Sequence, residues 1–215
     1  MPSSAKENKL TNLADTKDTV YCVDRIVSEL IGIAVLSESA KILLTGLPGC
    51  GKTTAAMQII ANLNCEKLAG FYTQEIRQGG VRKGFSWQRL DGAAGTLAHI
   101  DIKGPFRVGK YGVDVAGFEK SVVPILDAEK TDTQLFVIDE IGKMECFSKK
   151  FAAAIRRLFK SDKSVLATVA LKGTGLISEV KNYQDIKLFN LTRQNHNKTI
   201  AEILQALSFL KDAVS

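Results

Sequence analysis

The chain has 215 residues, 45% hydrophobic and 24% charged, enough apolar material for one good-sized core and ordinary for a soluble globular protein. No run approaches the roughly 20 consecutive apolar positions of a membrane helix. A net charge of +6 and a pI near 9.1 suit an anionic substrate and permit, without requiring, weak nucleic-acid affinity. Four cysteines, Cys22, Cys50, Cys65 and Cys146, form no C-x-x-C pair, and two histidines are too few for a Cys/His metal site. Free thiols in a reducing cytoplasm are expected.

Residues 1–18 are polar, mixed in charge and poor in aromatics, and are expected to be a mobile tail. No apolar core follows the start, so a signal peptide is not expected. Over residues 19–38, Val23, Ile26, Val27, Leu30, Ile31 and Ala34 recur at three- and four-residue spacing. That is an amphipathic helix, and because its polar face is not basic its expected role is packing, not membrane attachment.

Lys41-Ile42-Leu43-Leu44-Thr45 reads as a short buried strand, and Thr54-Ala55-Ala56-Met57-Gln58-Ile59-Ile60 opens a helix running to about Asn64. Between them stands Gly46-Leu47-Pro48-Gly49-Cys50-Gly51-Lys52-Thr53, which satisfies G-x-x-x-x-G-K-[ST] in the strand–turn–helix context that gives the pattern meaning. Glycines let the backbone curl with its amides pointing at a phosphate chain, and the helix adds its positive end. Lys52 would neutralise the β- and γ-phosphates, and the Thr53 hydroxyl would hold Mg²⁺. A chance turn is the bland alternative, and the flanking strand and helix argue against it. Cys50 inside the loop is read as a small residue that fits.

From Leu68 to Ile102, runs such as Gly70–Gln74 and Gly84–Leu90 are separated by Gly79-Gly80 and Asp91-Gly92, the texture of short antiparallel strands and turns. A helix is expected from Asp114 to about Lys130, with a defect at Pro124. Leu135-Phe136-Val137-Ile138-Asp139 reads as a strand buried on both faces and ending in an acid. A helix over Lys149–Lys160, a strand over Ser164–Val169, a short helix from Leu176 to Val180, a strand over Ile186–Asn190 and a C-terminal helix carrying Ile200, Ile203, Leu204, Leu207 and Leu210 follow. Strands alternating with helices predict an α/β fold: one P-loop NTPase domain over residues 39–215, its mostly parallel sheet covered on both faces, with a small antiparallel excursion after the first helix of the domain.

Asp139-Glu140 supplies what a phosphate loop lacks. Asp139, at the C-terminal end of its strand, would serve the metal, and Glu140 would face the γ-phosphate as general base toward water. A solvated strand end is the plain alternative; the preceding apolar run and the upstream loop favour the catalytic one. Lys149, Lys150, Arg156, Arg157, Lys160 and Lys163 crowd one helix and its exit without interleaved aromatics, which reads as a solvated face and argues against a single-strand nucleic-acid site.

Gly70-Phe71-Tyr72-Thr73-Gln74-Glu75-Ile76-Arg77 followed by Gly80-Val81-Arg82-Lys83-Gly84-Phe85 resembles a segment of the small thermophile-type nucleoside-triphosphatases, P-loop proteins related to nucleotide kinases and RecA-like ATPases. The likeness continues in Val108–Asp114, Val137–Glu145 and Leu191–Asn195, and covers roughly residues 41 to 210. Residues 1–40 lie outside it. The resemblance implies hydrolysis of nucleoside triphosphates to diphosphates and phosphate with Mg²⁺ and broad base tolerance, with Gly46 to Thr54 on phosphates and metal and Asp139 and Glu140 on metal and water.

Arg77, Arg82 and Lys143 are candidates for meeting the transferring phosphoryl group, with a local pair to Glu75 as the structural alternative for Arg77. Arg193, after the last strand, is a candidate for the nucleobase. Trp87 could stack on a base or simply sit half-buried in its strand. A kinase using the same loop is the runner-up, and the region from Arg77 to Phe85 is the nearest thing to a lid.

Overall fold

The computed structural model describes residues 39–129 and 132–210. The tail and the amphipathic helix expected over residues 1–38 lie outside these. Nine strands form one sheet: β1 (Lys41–Thr45), β2 (Leu68–Gln78), β3 (Val81–Arg89), β4 (Ala94–His99), β5 (Arg107–Val108), β6 (Tyr111–Val113), β7 (Leu135–Ile141), β8 (Ser164–Val169) and β9 (Ile186–Asn190). Their order is β5-β6-β4-β3-β2-β7-β8-β1-β9. From β9 to β7 every neighbour is parallel, as short apolar strands separated by helices require.

β2 joins the two halves. Its first residues, Leu68–Phe71, pair parallel with Leu135–Ile138, and Phe71–Gln78 pair antiparallel with β3. The turn-rich segment is therefore continuous with the parallel sheet. Its first two strands are also longer than the turn signals suggest, 11 and 9 residues. The β5–β6 hairpin extends it to Val113, over a stretch that carries little alternation of its own.

Helices α1 (Lys52–Leu63) and α5 (His196–Ala206) cover one face of the sheet, and α2 (Val115–Ser121), α3 (Lys149–Lys160) and α4 (Leu176–Glu179) the other. The alternation along each strand shows why. Ile42 and Leu44 of β1, Leu135 and Val137 of β7, and Leu166 of β8 pack with Ala55, Ile59, Leu63 and Ile203. Leu43, Phe136, Ile138, Val165 and Ala167 point the opposite way, toward Phe151, Ile155 and Leu158. Both faces are dry, so these strands read as unbroken apolar runs.

Local signals set the helix ends. Ser148 caps α3, accepting from the Phe151 N–H at 2.9 Å, and Arg157 and Lys160 stand in its last turn, where the helix dipole favours cations. Asp114 caps α2, accepting from Gly117 N–H at 2.9 Å. α2 is shorter than its spacing predicts: it stops at Ser121, and Val123–Leu126 becomes a 3₁₀ turn around Pro124, which has no N–H to continue the ladder. Among the described residues, no helix is long and apolar enough to cross a membrane.

Candidate active site

The glycine-rich loop leaves β1 and enters α1 through Gly51, whose φ of 99° is a left-handed conformation that suits glycine. Helix α1 has no side-chain cap and no acidic residue in its first turn. Its first N–H groups therefore stay available to an anion.

Strand order brings the second half of the site to this loop. β8 lies between β1 and β7, so the C-terminal ends of all three meet. The β7–β8 ladder runs regularly through Ile138–Ala167 and resumes at Ile141–Val169. Asp139 and Glu140, joined by a cis peptide, occupy the irregular stretch, where a bulge can re-aim side chains. The strand thus continues past the acid expected to end it.

Asp139 is 1% exposed, and each of its carboxylate oxygens has a partner. Thr53 Oγ1 donates to Oδ2 at 2.7 Å, and Thr168 Oγ1 donates to Oδ1 at 2.5 Å. Burial pushes the carboxyl above its ordinary range, against the pull of Thr168, Thr53, the Thr73 backbone and Lys52. Beside it, Lys52 Nζ faces Glu140 Oε2 at 3.4 Å. Glu140 is also raised by burial, with Lys52 drawing it down and Asp139 pushing it up. A base of raised pKa with an open side suits proton abstraction from water.

A cavity of about 490 Å³ opens over these groups. Pro48, Gly49, Gly51, Lys52, Thr53, Thr54 and Glu140 line one side, and Thr73, Gln74, Glu75, Arg82 and Phe85 the other. Arg82 is brought to this cavity, where its guanidinium pairs with Glu75, donates to Tyr111 Oη at 3.2 Å and covers the Phe85 ring at 5.3 Å. Arg77 is not. It pairs with Glu75 at 2.6 Å and donates to the Gly80 carbonyl at 2.8 Å, holding the β2–β3 turn. Lys143 is not brought there either, and lines a separate cleft.

Gly46, Leu47, Pro48, Lys52, Glu140 and the segment Ala170–Lys172 enclose a further cavity of about 310 Å³ on the other side of the loop. Arg193 lines a third, of about 440 Å³, with Leu47 to Cys50, Leu171, Leu191 and Gln194. Leu47 and Leu171 are exposed apolar side chains, and with the Arg193 guanidinium they form a slot suited to a planar base. Trp87 lies in none of these cavities. It is 6% exposed in the core, with its ring against Gly95, so it is more buried than the half-buried strand residue expected.

Two residues escaped the sequence reading. Thr168 is fully buried near the end of β8, and a hydroxyl inside the apolar run Ser164–Val169 was the available signal. Glu145, 5% exposed, accepts from Gly142 N–H at 3.1 Å, and nothing in its spacing marks it as buried. The basic residues of α3 and its exit are partly spoken for. Lys150 meets Glu119 at 3.1 Å, and Arg156 meets Glu179 at 2.7 Å.

A phosphate loop after an inner strand of a parallel sheet, with an Asp-Glu pair two strands away beyond β8 and a threonine hydroxyl bonded across to it, defines a P-loop NTPase. A family described as NTPase matches residues 41–204, and the chain belongs to it. The chain is 40% identical over 169 residues to nucleoside-triphosphatase THEP1 of Thermotoga maritima, covering 79% of this chain and 96% of that one. It is 38% identical over 178 residues to the cancer-related nucleoside-triphosphatase of Homo sapiens, covering 76% and 94%. The crystal structure of THEP1 from Aquifex aeolicus superposes with a TM-score of 0.71 at 34% identity, over 78% of this chain and 98% of that one.

Proposed function

We propose that this chain hydrolyses nucleoside triphosphates to nucleoside diphosphates and phosphate, with Mg²⁺ as the metal and Glu140 as the base toward water. The observation that carries the reading is the hydrogen bond of 2.7 Å from Thr53 Oγ1 to Asp139 Oδ2, with the Lys52–Glu140 contact of 3.4 Å beside it. A hard cation takes oxygen ligands, and Thr53 and Asp139 offer a hydroxyl and a carboxylate already converged next to the phosphate loop, so the residues fit the ion. When bound, Mg²⁺ would be held by Thr53 and Asp139 and would neutralise phosphate charge.

The chain's own groups do the rest. Backbone amides from Gly49 to Thr54 hold the phosphates, and the Lys52 ammonium offsets charge as the γ-phosphoryl group loosens. Glu140 orients a water and takes one of its protons. The water oxygen bonds to the γ-phosphorus, and the bond to the β–γ bridging oxygen breaks, leaving the diphosphate with that electron pair. Arg82 faces the same space from β3 and can meet the equatorial oxygens. Leu47, Leu171 and Arg193 grip a base by its faces, which suits broad base tolerance. Cys50, Cys65 and Cys146 are free thiols, which supports a cytoplasmic location.

A kinase could use the same groups, but the stretch nearest to a lid, Arg77 to Phe85, is a paired β-hairpin. Phosphate release from ATP, GTP, CTP and UTP, with Mg²⁺ or EDTA and with or without nucleosides, nucleotides, DNA or RNA, tests the reading. Release without acceptor, lost in EDTA and restored by Mg²⁺, is expected. Turnover only with an acceptor would sink it in favour of a kinase, and large stimulation by nucleic acid would favour a nucleic-acid-associated module.

A further inference from the structure

A second cleft of about 490 Å³ shares no lining residue with the three cavities around the phosphate loop. Three segments meet in it: strand β5 with Arg107 and Val108, the stretch after β7 with Lys143 and Phe147, and the loop after β8 with Thr174 and on into α4. Its charged lining consists of Arg107 and Lys143, with no carboxylate.

Arg77, Arg82, Arg89 and Arg156 are each held by a carboxylate. Arg107 instead donates to two backbone carbonyls, Nη1 to Ile102 O at 3.3 Å and Nη2 to Lys110 O at 2.9 Å. Those bonds orient the guanidinium, which has no ion pair among the described residues. Lys143 has no ion pair among the described residues. The lining also holds apolar side chains, Val108, Ile177 and Phe147, whose ring packs on Phe106 at 5.4 Å between centroids. Cys146 adds no negative charge, because burial pushes its thiol up to about 12.

An oriented guanidinium, a nearby ammonium and a hydroxyl beside apolar side chains suit an organic anion with a flat or apolar body, and the volume is that of a small-ligand site. We propose that this cleft binds a phosphomonoester on such a body, of the nucleoside monophosphate class, as a second ligand distinct from the triphosphate. Arg107 and Lys143 hold the phosphate, Thr174 adds a hydroxyl, and Phe147 and Val108 receive the body.

The site is placed to act on turnover. Lys143 follows Glu140 by three residues on the same stretch. Gly173 and Thr174 directly continue Leu171 and Lys172, which flank Lys52 and Glu140. Lys181 anchors that loop through the Ala170 and Leu171 carbonyls, at 2.7 and 2.9 Å. A ligand spanning Lys143 and Thr174 therefore ties together the two loops that frame the general base.

Binding at this cleft does not depend on hydrolysis, so it can fail or stand apart from the proposed activity. The test is calorimetric titration of AMP, GMP, CMP, UMP and inorganic phosphate into the full chain, with the phosphate loop saturated by a non-hydrolysable triphosphate and Mg²⁺. Arg107→Ala, Lys143→Ala and Lys52→Ala are compared with the original chain, and thermal melts confirm that each is folded; Lys52→Ala is titrated without the analogue. At least one monophosphate is expected to bind. Arg107→Ala and Lys143→Ala should each weaken it at least ~10-fold, the scale of one charge-assisted contact, and Lys52→Ala should leave it within about 2-fold. Inorganic phosphate should bind at least ~10-fold more weakly, because it lacks the body. No monophosphate binding below ~1 mM overturns the proposal, as does binding that is lost in Lys52→Ala and untouched by Arg107→Ala.

Discussion

Replacing Glu145 with glutamine isolates the cost of burying an acid beside the catalytic pair. Glu145 opens the 3₁₀ turn Glu145–Phe147 and is 5% exposed, with the Gly142 N–H as its partner at 3.1 Å. A Cβ placed on Gly142 would lie 2.8 Å from Glu145 Oε2 and 3.2 Å from Glu140 Oε1, so both carboxyls crowd one backbone position. Burial first, and then the charges of Glu140 and Asp139, push Glu145 up to about 8 from an ordinary 4.5. In the unfolded chain the group ionises near 4.5; in the folded chain it holds its proton to about 8. The folded state then binds more protons between these values, so stability present below pH 4.5 is lost progressively as pH rises to about 8. The slope is about 1.4 kcal/mol per pH unit, or about 3 kcal/mol by pH 7. Glutamine keeps an acceptor for Gly142 N–H and never ionises. Urea unfolding of both proteins in EDTA, from about pH 5 to about pH 9, spanning both sides of the raised value of about 8, is the assay. The stability of the Glu145→Gln variant relative to the original should climb by roughly 1 kcal/mol or more per unit and flatten above pH 8. Parallel profiles across that range would refute the reasoning.

Glu140→Gln should keep nucleotide binding and lose at least about 10²-fold in phosphate release, the usual scale for a general base; unchanged turnover removes Glu140 from the mechanism. Gly70→Ala places a Cβ 1.9 Å from the Val137 carbonyl at a φ of 135°, on main chain that cannot step aside, and should destabilise by at least ~2 kcal/mol, read as a fall in melting temperature. Trp87, the single tryptophan, should emit at the blue wavelengths of an apolar site and not respond to added triphosphate. A nucleotide-dependent shift of that band would place it at the base instead.

The phosphate loop was legible because its chemistry is local: glycines where the chain must curl, an apolar strand before them, a helix after. β7 was legible up to its acid for the same reason, since Leu135–Ile138 must be buried on both faces. Helix α3 and strands β8 and β9 likewise follow from periods of hydrophobicity within one short segment. What these signals do not contain is which ends meet. Arg82 and Lys143 looked alike as free cations in motifs, yet one reaches the phosphate-loop cavity from β3 and the other is carried past Gly142 into a separate cleft. Arg77 and Arg82 sit five residues apart and converge on one carboxylate, Glu75, because the hairpin folds them back on each other. Thr168 reads as one more strand residue until β8 is placed between β1 and β7. By itself the sequence determined the elements and the phosphate-binding turn, whose forces act between near neighbours. The tertiary structure alone decided the assembled site, because Thr53 meets Asp139 across 86 residues and only the order of strands in the sheet sets that distance.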